Sequence, residues 1–115
     1  MERSDSASIK ILSDAIIPVA KLTRYLLIKR TRNDKSKFLA QAGFTLNNYA
    51  DLENALRKLI LDAEAVEDRT DEYGTFYQAS GSLEGINGIC LNVVTVWLHR
   101  KIDQRFQFVT LVPDK

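Results

Sequence analysis

The sequence predicts an α+β fold: two or three N-terminal helices packed on a C-terminal antiparallel meander of three to four strands. Three observations carry this expectation. Apolar residues recur every three or four positions between residues 48 and 63, they alternate every second position from residue 75 onward, and an Asn87-Gly88 pair separates two of the alternating runs. The period changes once, near Gly74, so helices and strands are segregated along the chain. With 115 residues, 45% hydrophobic and 27% charged, the chain is expected to be one domain, 1–115, with a single core.

Pro18 precedes "VAKLTRYLLIKR", in which Leu22, Tyr25, Leu26 and the stem of Lys29 fall at helical spacing. A helix of two to three turns is therefore expected to begin near Val19 or Ala20. In "NDKSKFLAQAGF", Asn33 or Asp34 is the candidate N-cap, Phe38, Leu39 and Ala42 form a buried stripe, and Gly43 marks the end. Helices this short are marginal in water and must be held by packing. The third helix is the strongest. Leu52, Ala55, Leu56, Leu59, Ile60 and Ala63 form its apolar stripe, Asn48 is placed to cap it, and Asp51 lies near the positive end of its dipole. Glu64, Glu67 and Asp68 sit at its far end, where the dipole favours cations, so fraying is expected there and a solvated connection through "EDRTDEYG".

In "TFYQASGSLEG", Thr75, Tyr77, Ala79, Gly81 and Leu83 share one face of a strand; Gly81 suggests a bulge or a close backbone approach. Asn87-Gly88 predicts a type I′ hairpin turn. Beyond it, Ile89, Leu91, Val93, Thr95, Trp97 and His99 point one way, and Cys90, Asn92, Val94, Val96 and Leu98 the other. Both faces are largely apolar, as in a central strand covered on both sides. Helices account for one cover. The other must come from a ligand, a dimer partner, the N-terminal "IKILSDAIIP" or another protein. "KIDQR" then turns the chain into "FQFVTLVP", and its register decides whether Phe106, Phe108 and Thr110 join Thr95, Trp97 and His99.

Sixteen basic and fifteen acidic residues leave no global field to attract nucleic acid or a membrane. Locally, Lys21 to Lys37 contains seven basic residues and one acidic, whereas Asp51 to Glu72 contains eight acidic and three basic. Two solvated faces explain this; a basic anion-binding surface beside an acidic shield is the sharper alternative. Cys90 is the only cysteine, which fits a cytoplasmic protein and a small buried strand residue. No apolar run reaches the roughly 20 residues of a membrane span, and the start lacks a signal-peptide core, so a soluble protein without membrane association is expected. No phosphate-binding glycine loop, hydrolase elbow or paired-cysteine motif is present, and no cofactor is expected. His99 is the only histidine, too few ligands for zinc, and as a general base it competes with the reading of a surface residue at a strand end.

The ordered segments "AKLTRYLL", "DKSKFLAQAGF", "DLENALRKLI", "YGTFYQASGSLEGING", "VVTVWLHRK" and "FQFVTLVPDK" resemble a small bacterial family, common in cyanobacteria, known as domain of unknown function 6883. The likeness rests on scattered residues, among them Lys21, Tyr25, Lys35, Tyr77, Thr95, Trp97, Thr110 and Pro113. It contains no catalytic motif. The layout is also similar to ribonuclease toxins of the barnase, EndoU and colicin type, an analogy of fold. That resemblance implies a sheet face presenting Lys21, Lys35, Tyr77, Thr95, His99 and Thr110 to a phosphodiester, with a lysine or tyrosine replacing a second imidazole. The leading expectation is a non-enzymatic domain that self-associates or binds a protein partner through the open sheet face or edge. The alternative is a metal-independent, RNA-cleaving, toxin-like domain.

Overall fold

The computed structural model describes residues 8–12, 14–28 and 35–114. Strand β1 (Ser8–Lys10) comes first. Helix α1 (Val19–Lys21) runs directly into a π-helical segment, Leu22–Leu26. Helix α2 (Ser36–Ala40) follows, then a 3₁₀ turn at Leu46–Asn48 and helix α3 (Tyr49–Asp62). Strands β2 (Glu64–Asp71), β3 (Gly74–Glu84), β4 (Cys90–Arg100) and β5 (Phe106–Pro113) complete the chain. Among the described residues five strands form one antiparallel sheet in the order β1-β2-β3-β4-β5. The α+β class is as predicted. The strand number is not: the sheet has five strands rather than three or four, and because β1 precedes the helices they are not simply N-terminal to it.

The two additional strands come from segments with no period-2 signal. In β2 only Ala65 is buried, so its sequence shows charge rather than alternation. The acidic residues predicted to fray a helix end, Glu64, Glu67 and Asp68, belong to this strand instead. Stopping α3 at Asp62 keeps them off the negative end of its dipole. The cation that the helix lacks in its own last turn is supplied from β1, where Lys10 Nζ donates to the Asp62 carbonyl at 2.9 Å.

Helix α3 buries Leu52, Ala55, Leu56, Leu59 and Ile60, as its spacing predicted. Each fully buried leucine contributes about 1.5–3 kcal/mol relative to exposure. Asn48 precedes the helix but does not cap it through its side chain. Its Oδ1 accepts from the Thr45 N–H at 2.7 Å, closing a capping box on the 3₁₀ turn. In the first helical segment Leu22, Leu26 and Leu27 are buried while Tyr25 is half exposed, against the α-helical expectation. The cause is the π turn, whose bond from Leu27 N–H to Leu22 O at 3.0 Å skips one residue further and rotates Tyr25 out of the stripe. The proposed caps Asn33 and Asp34, and Lys29, lie outside the described residues.

The faces of β3 and β4 follow the predicted alternation. Ala79, Leu83, Leu91, Val93, Thr95 and Trp97 are buried under the helices. Gly81 marks a close approach, not a bulge: a Cβ there would lie 3.1 Å from Leu59, and the β3-β4 register is unbroken. The hairpin turn differs from the type I′ expectation. Gly85 N–H bonds Ile89 O at 2.9 Å, so the loop has three residues, and only Gly88 has positive φ, at 87°. A three-residue loop needs one left-handed residue at its end, which is where the glycine stands.

The N-terminal segment lies on the helical side, not over the second sheet face. Ile11, Ala15 and Ile17 join the same core as Leu22 and Phe108. Ile16 forms a parallel bridge to Gln107, with Ile16 N–H to Phe106 O and Phe108 N–H to Ile16 O both at 2.8 Å, covering part of the β5 edge. Arg57 of α3 secures this segment by donating to the Ala15 carbonyl at 3.0 Å.

Candidate functional site

Thr95 and Trp97 occupy the centre of the buried face. Thr95 has no exposed surface; its hydroxyl donates to the Ala79 carbonyl at 2.7 Å and accepts from Trp97 Nε1 at 2.7 Å. Its single proton and one of its two lone pairs are spent inside the core and none of its surface is exposed, so the fold uses it as the partner of a buried indole and gives it no access to a substrate. Thr95→Val keeps the shape and strands the indole N–H. Urea denaturation should show a loss of about 1–3 kcal/mol, the cost of a buried unsatisfied donor.

Tyr77, His99 and Phe106 meet at one end of the same face. Register places His99 opposite Phe106 and Trp97 opposite Tyr77. The His99 ring stacks on Phe106 with centroids 4.6 Å apart, and the Tyr77 ring meets both edge-on, 6.3 Å from His99 and 5.6 Å from Phe106. The imidazole is thus a half-buried member of an aromatic cluster rather than a plain surface residue. Its Nε2 lies 3.1 Å from the Gln104 carbonyl, in the β4-β5 turn, where Gln104 itself takes a left-handed φ of 61°. Beside the ring is a cleft of about 220 Å³ whose walls include Thr70, Thr75, His99, Lys101 and Gln104. The two threonine hydroxyls are 3.1 Å apart.

Partial burial, and secondarily the charge of Glu67, raise the Tyr77 phenol above its ordinary value of 10.0. The phenol is therefore a proton donor at neutral pH, not a nucleophile. Because the folded-state value is the higher one, its contribution to stability is complete below the unfolded tyrosine pKa and is lost as pH rises through the folded value. Chemical denaturation between pH 9 and 12 should show a smaller alkaline decline for Tyr77→Phe than for the wild type.

The other candidates are placed elsewhere. Lys35 Nζ donates to Thr110 Oγ1 at 3.2 Å. Thr110 pairs with Val96, three residues before His99, hence roughly 10 Å away along the strand and, by alternation, on the opposite face. An irregularity in register between Val96 and Trp97 decides this: Phe106 and Phe108 join the Trp97 face and Thr110 does not. Lys21 Nζ sits 5.5 Å over the Tyr25 ring. The six residues thus form the pair Tyr77 and His99, the pair Lys35 and Thr110, a lysine on a tyrosine, and a buried threonine. The fold does not gather them into one centre. Lys29, Arg30 and Arg32 of the basic cluster lie outside the described residues. Among the described residues no three of His, Cys, Asp and Glu are grouped to hold a metal ion.

The second face of the sheet is half-buried to exposed, and Lys35 reaches its β5 margin through the bond to Thr110. Phe76, Val94, Val96 and Leu98 run across it, half-buried, with Val66 and Val112 more exposed. Cys90 is exposed here, not buried as its type suggested, because it ends the strand on the uncovered side. The Arg69 guanidinium lies 4.2 Å from the Phe76 ring centroid. At one end, the tips of two hairpins carry Tyr73 and Ile102, 64% and 85% exposed, around a hollow of about 460 Å³ floored by Leu98 and bounded by Arg100 and Lys101. Sequence reading found the face but missed these anchors, because Tyr73 and Ile102 sit in turn segments where no period assigns a direction.

Among the described residues no helix is long and apolar enough to cross a membrane. Among solved structures, a chain from a contact-dependent growth inhibition toxin–immunity protein complex of Klebsiella pneumoniae 342 superposes with a TM-score of 0.65, covering 90% of this chain and 96% of its own at 18% identity. At that identity the likeness is one of fold. No curated protein is significantly similar in sequence. The family model of a domain of unknown function, DUF6883, matches residues 9–115, nearly the whole chain, and the protein belongs to that family.

Proposed function

We propose that the protein is a partner-binding domain whose uncovered sheet face receives another protein. The carrying observation is the continuous apolar strip of Phe76, Val94, Val96 and Leu98, extended by the exposed Tyr73 and Ile102 and flanked by Arg69 and Arg100. The border carries both signs, with Arg69 paired to Asp71, Arg100 to Asp103 and Glu72 at the hollow, and so fits a partner surface with an apolar centre and a polar rim of mixed charge. The shared fold with a chain of a toxin–immunity complex supports a role in a protein pair of that kind. The test is co-expression with the product of the adjacent reading frame. A stoichiometric complex is expected, lost in Leu98→Glu while the melting temperature stays within a few degrees. A complex indifferent to Leu98→Glu, or a protein that remains monomeric and unbound, overturns the reading.

The second reading, RNA cleavage, is favoured by the His99 ring in the wall of the threonine-lined cleft, with the Tyr77 ring edge-on to it at 6.3 Å. Here the phenol would act as the acid and the imidazole as the base. Purified protein incubated with total tRNA and EDTA should then yield discrete fragments, and His99→Ala should reduce the rate by at least about 100-fold. Intact tRNA after prolonged incubation at micromolar enzyme removes this reading.

A further inference from the structure

The sheet has an edge inside it. Pairing of β2 with β3 ends at Ala65↔Ala79, because the chain before Glu64 belongs to helix α3, whose last residue is Asp62. Strand β3 continues to Glu84, paired on its other side with β4 as far as Cys90. From Ser80 to Glu84 β3 thus has a strand on one side only. The length of this opening is roughly 17 Å at the usual rise per residue.

The ladder shows which backbone groups face the opening. Lys101 N–H donates to Tyr73 O at 2.9 Å at one end of the β3-β4 hairpin, and Gly85 N–H donates to Ile89 O at 2.9 Å at the other. The register between these ends is unbroken. Alternation then directs the N–H and C=O of Gly81 and Leu83 to β4 and those of Ser82 and Glu84 outward. A groove of about 420 Å³ lies along this edge, between Lys58, Leu59 and Asp62 of α3 and Ser80, Ser82 and Glu84 of β3. Small side chains on the strand leave it open. The Lys58 ammonium bridges to the Glu84 carboxylate, joining helix to strand at one end.

We infer that this groove binds an extended segment of a partner protein, added antiparallel to β3 as a continuation of the row that β2 leaves unfinished. The occupant follows from the chemistry of the site. Alternating outward N–H and C=O groups at strand spacing are matched by an extended backbone and by no compact ligand. Helix α3 flanks the groove, which leaves room for one strand, whereas a second copy of the chain would bring its own α3 into the same space. The inference rests on the partner-binding reading and concerns a different surface, the edge at Ser82 instead of the face at Leu98.

Ser82→Pro tests it. The substitution removes an N–H that points outward and leaves the bonds to β4 in place, as prolines at open strand edges do. In the free protein, hydrogen exchange should be fast at Ser82 and Glu84 and slow at Leu83. A displayed library of random decapeptides, selected on wild-type protein with counterselection on Ser82→Pro, should yield alternating sequences that protect those two amides. Their affinity should fall at least tenfold on Ser82→Pro and remain unchanged on Leu98→Glu. If Ser82→Pro fails to fold, backbone N-methylation of the selected peptides is the second measurement: methylation at alternate positions should abolish binding, and at the intervening positions should not. Peptides that bind Ser82→Pro equally well, tolerate every methylation or never emerge overturn the inference. So does a concentration-dependent dimer that Ser82→Pro dissolves, since the occupant is then a second copy. An adjacent-frame complex that Leu98→Glu breaks while no peptide binds refutes the edge alone. Peptide binding with no such complex refutes the face alone.

Discussion

Trp97→Ala is expected to lower the unfolding free energy by about 3–5 kcal/mol, a large part of the roughly 5–15 kcal/mol that holds a domain of this size together. The indole is wholly buried, packs edge-on against Phe108 with centroids 5.3 Å apart, and bonds to the Thr95 hydroxyl. Truncation removes apolar contact on both flanking strands, leaves a cavity under the helices, and deprives Thr95 of its donor. Urea denaturation of the variant should give a midpoint far below wild type with a similar slope. A Trp97→Ala, Thr95→Val double-mutant cycle should show strong coupling, because the second substitution has no indole left to strand. A loss under 1 kcal/mol would mean that the centre of the sheet is not the core of the fold.

Gly74→Val should be comparably damaging for a different reason. Gly74 has φ of 147°, and a Cβ on it would lie 2.1 Å from the His99 carbonyl oxygen, a backbone atom that cannot rotate away. The strained dihedral alone costs about 1–3 kcal/mol, and relieving the overlap requires β3 to separate from β4 at the end where their register begins. A total loss above about 3 kcal/mol is expected, with hydrogen-exchange protection lost first at Thr75 and at Lys101, whose N–H donates to the Tyr73 carbonyl. The variant also tests function, since Gly74 and His99 line the same cleft. If tRNA cleavage exists, it should vanish below the melting temperature. A complex made only through the sheet face should survive in whatever fraction remains folded.

The sequence alone determined the segregation of helices from strands, the stripe of α3, the two faces of β3 and β4, and the existence of an apolar face that the helices do not reach. These follow from side-chain periods of 3.6 and 2, which are properties of neighbouring residues and need no partner to be read. Strands β1 and β2 escaped because a strand bonded mainly through its backbone can be polar on both sides, as residues 67 to 71 are. Tyr25 was misplaced because a single π turn shifts the stripe by one residue. Among the candidate residues, type and approximate direction were legible for Tyr77 and His99. Their aromatic contact with Phe106 was not, because it depends on the β4-β5 register.

Tertiary structure decided the rest through contacts distant in sequence. Thr95 became a core hydroxyl because the indole two residues away and the Ala79 carbonyl across the ladder both point at it. Lys10 reached the C-terminus of α3, supplying a charge that local sequence withheld. The N-terminal segment went under the sheet to β5 instead of over its open face, because Ile16 found the backbone of Phe106 and Phe108 there while Ile11 and Ile17 entered the core. The edge at Ser82 exists because α3 ends where β2 would otherwise have continued beside β3. Periodicity reports which side of an element is apolar; only the pairing of elements determines what covers that side and which backbone groups remain open to a partner.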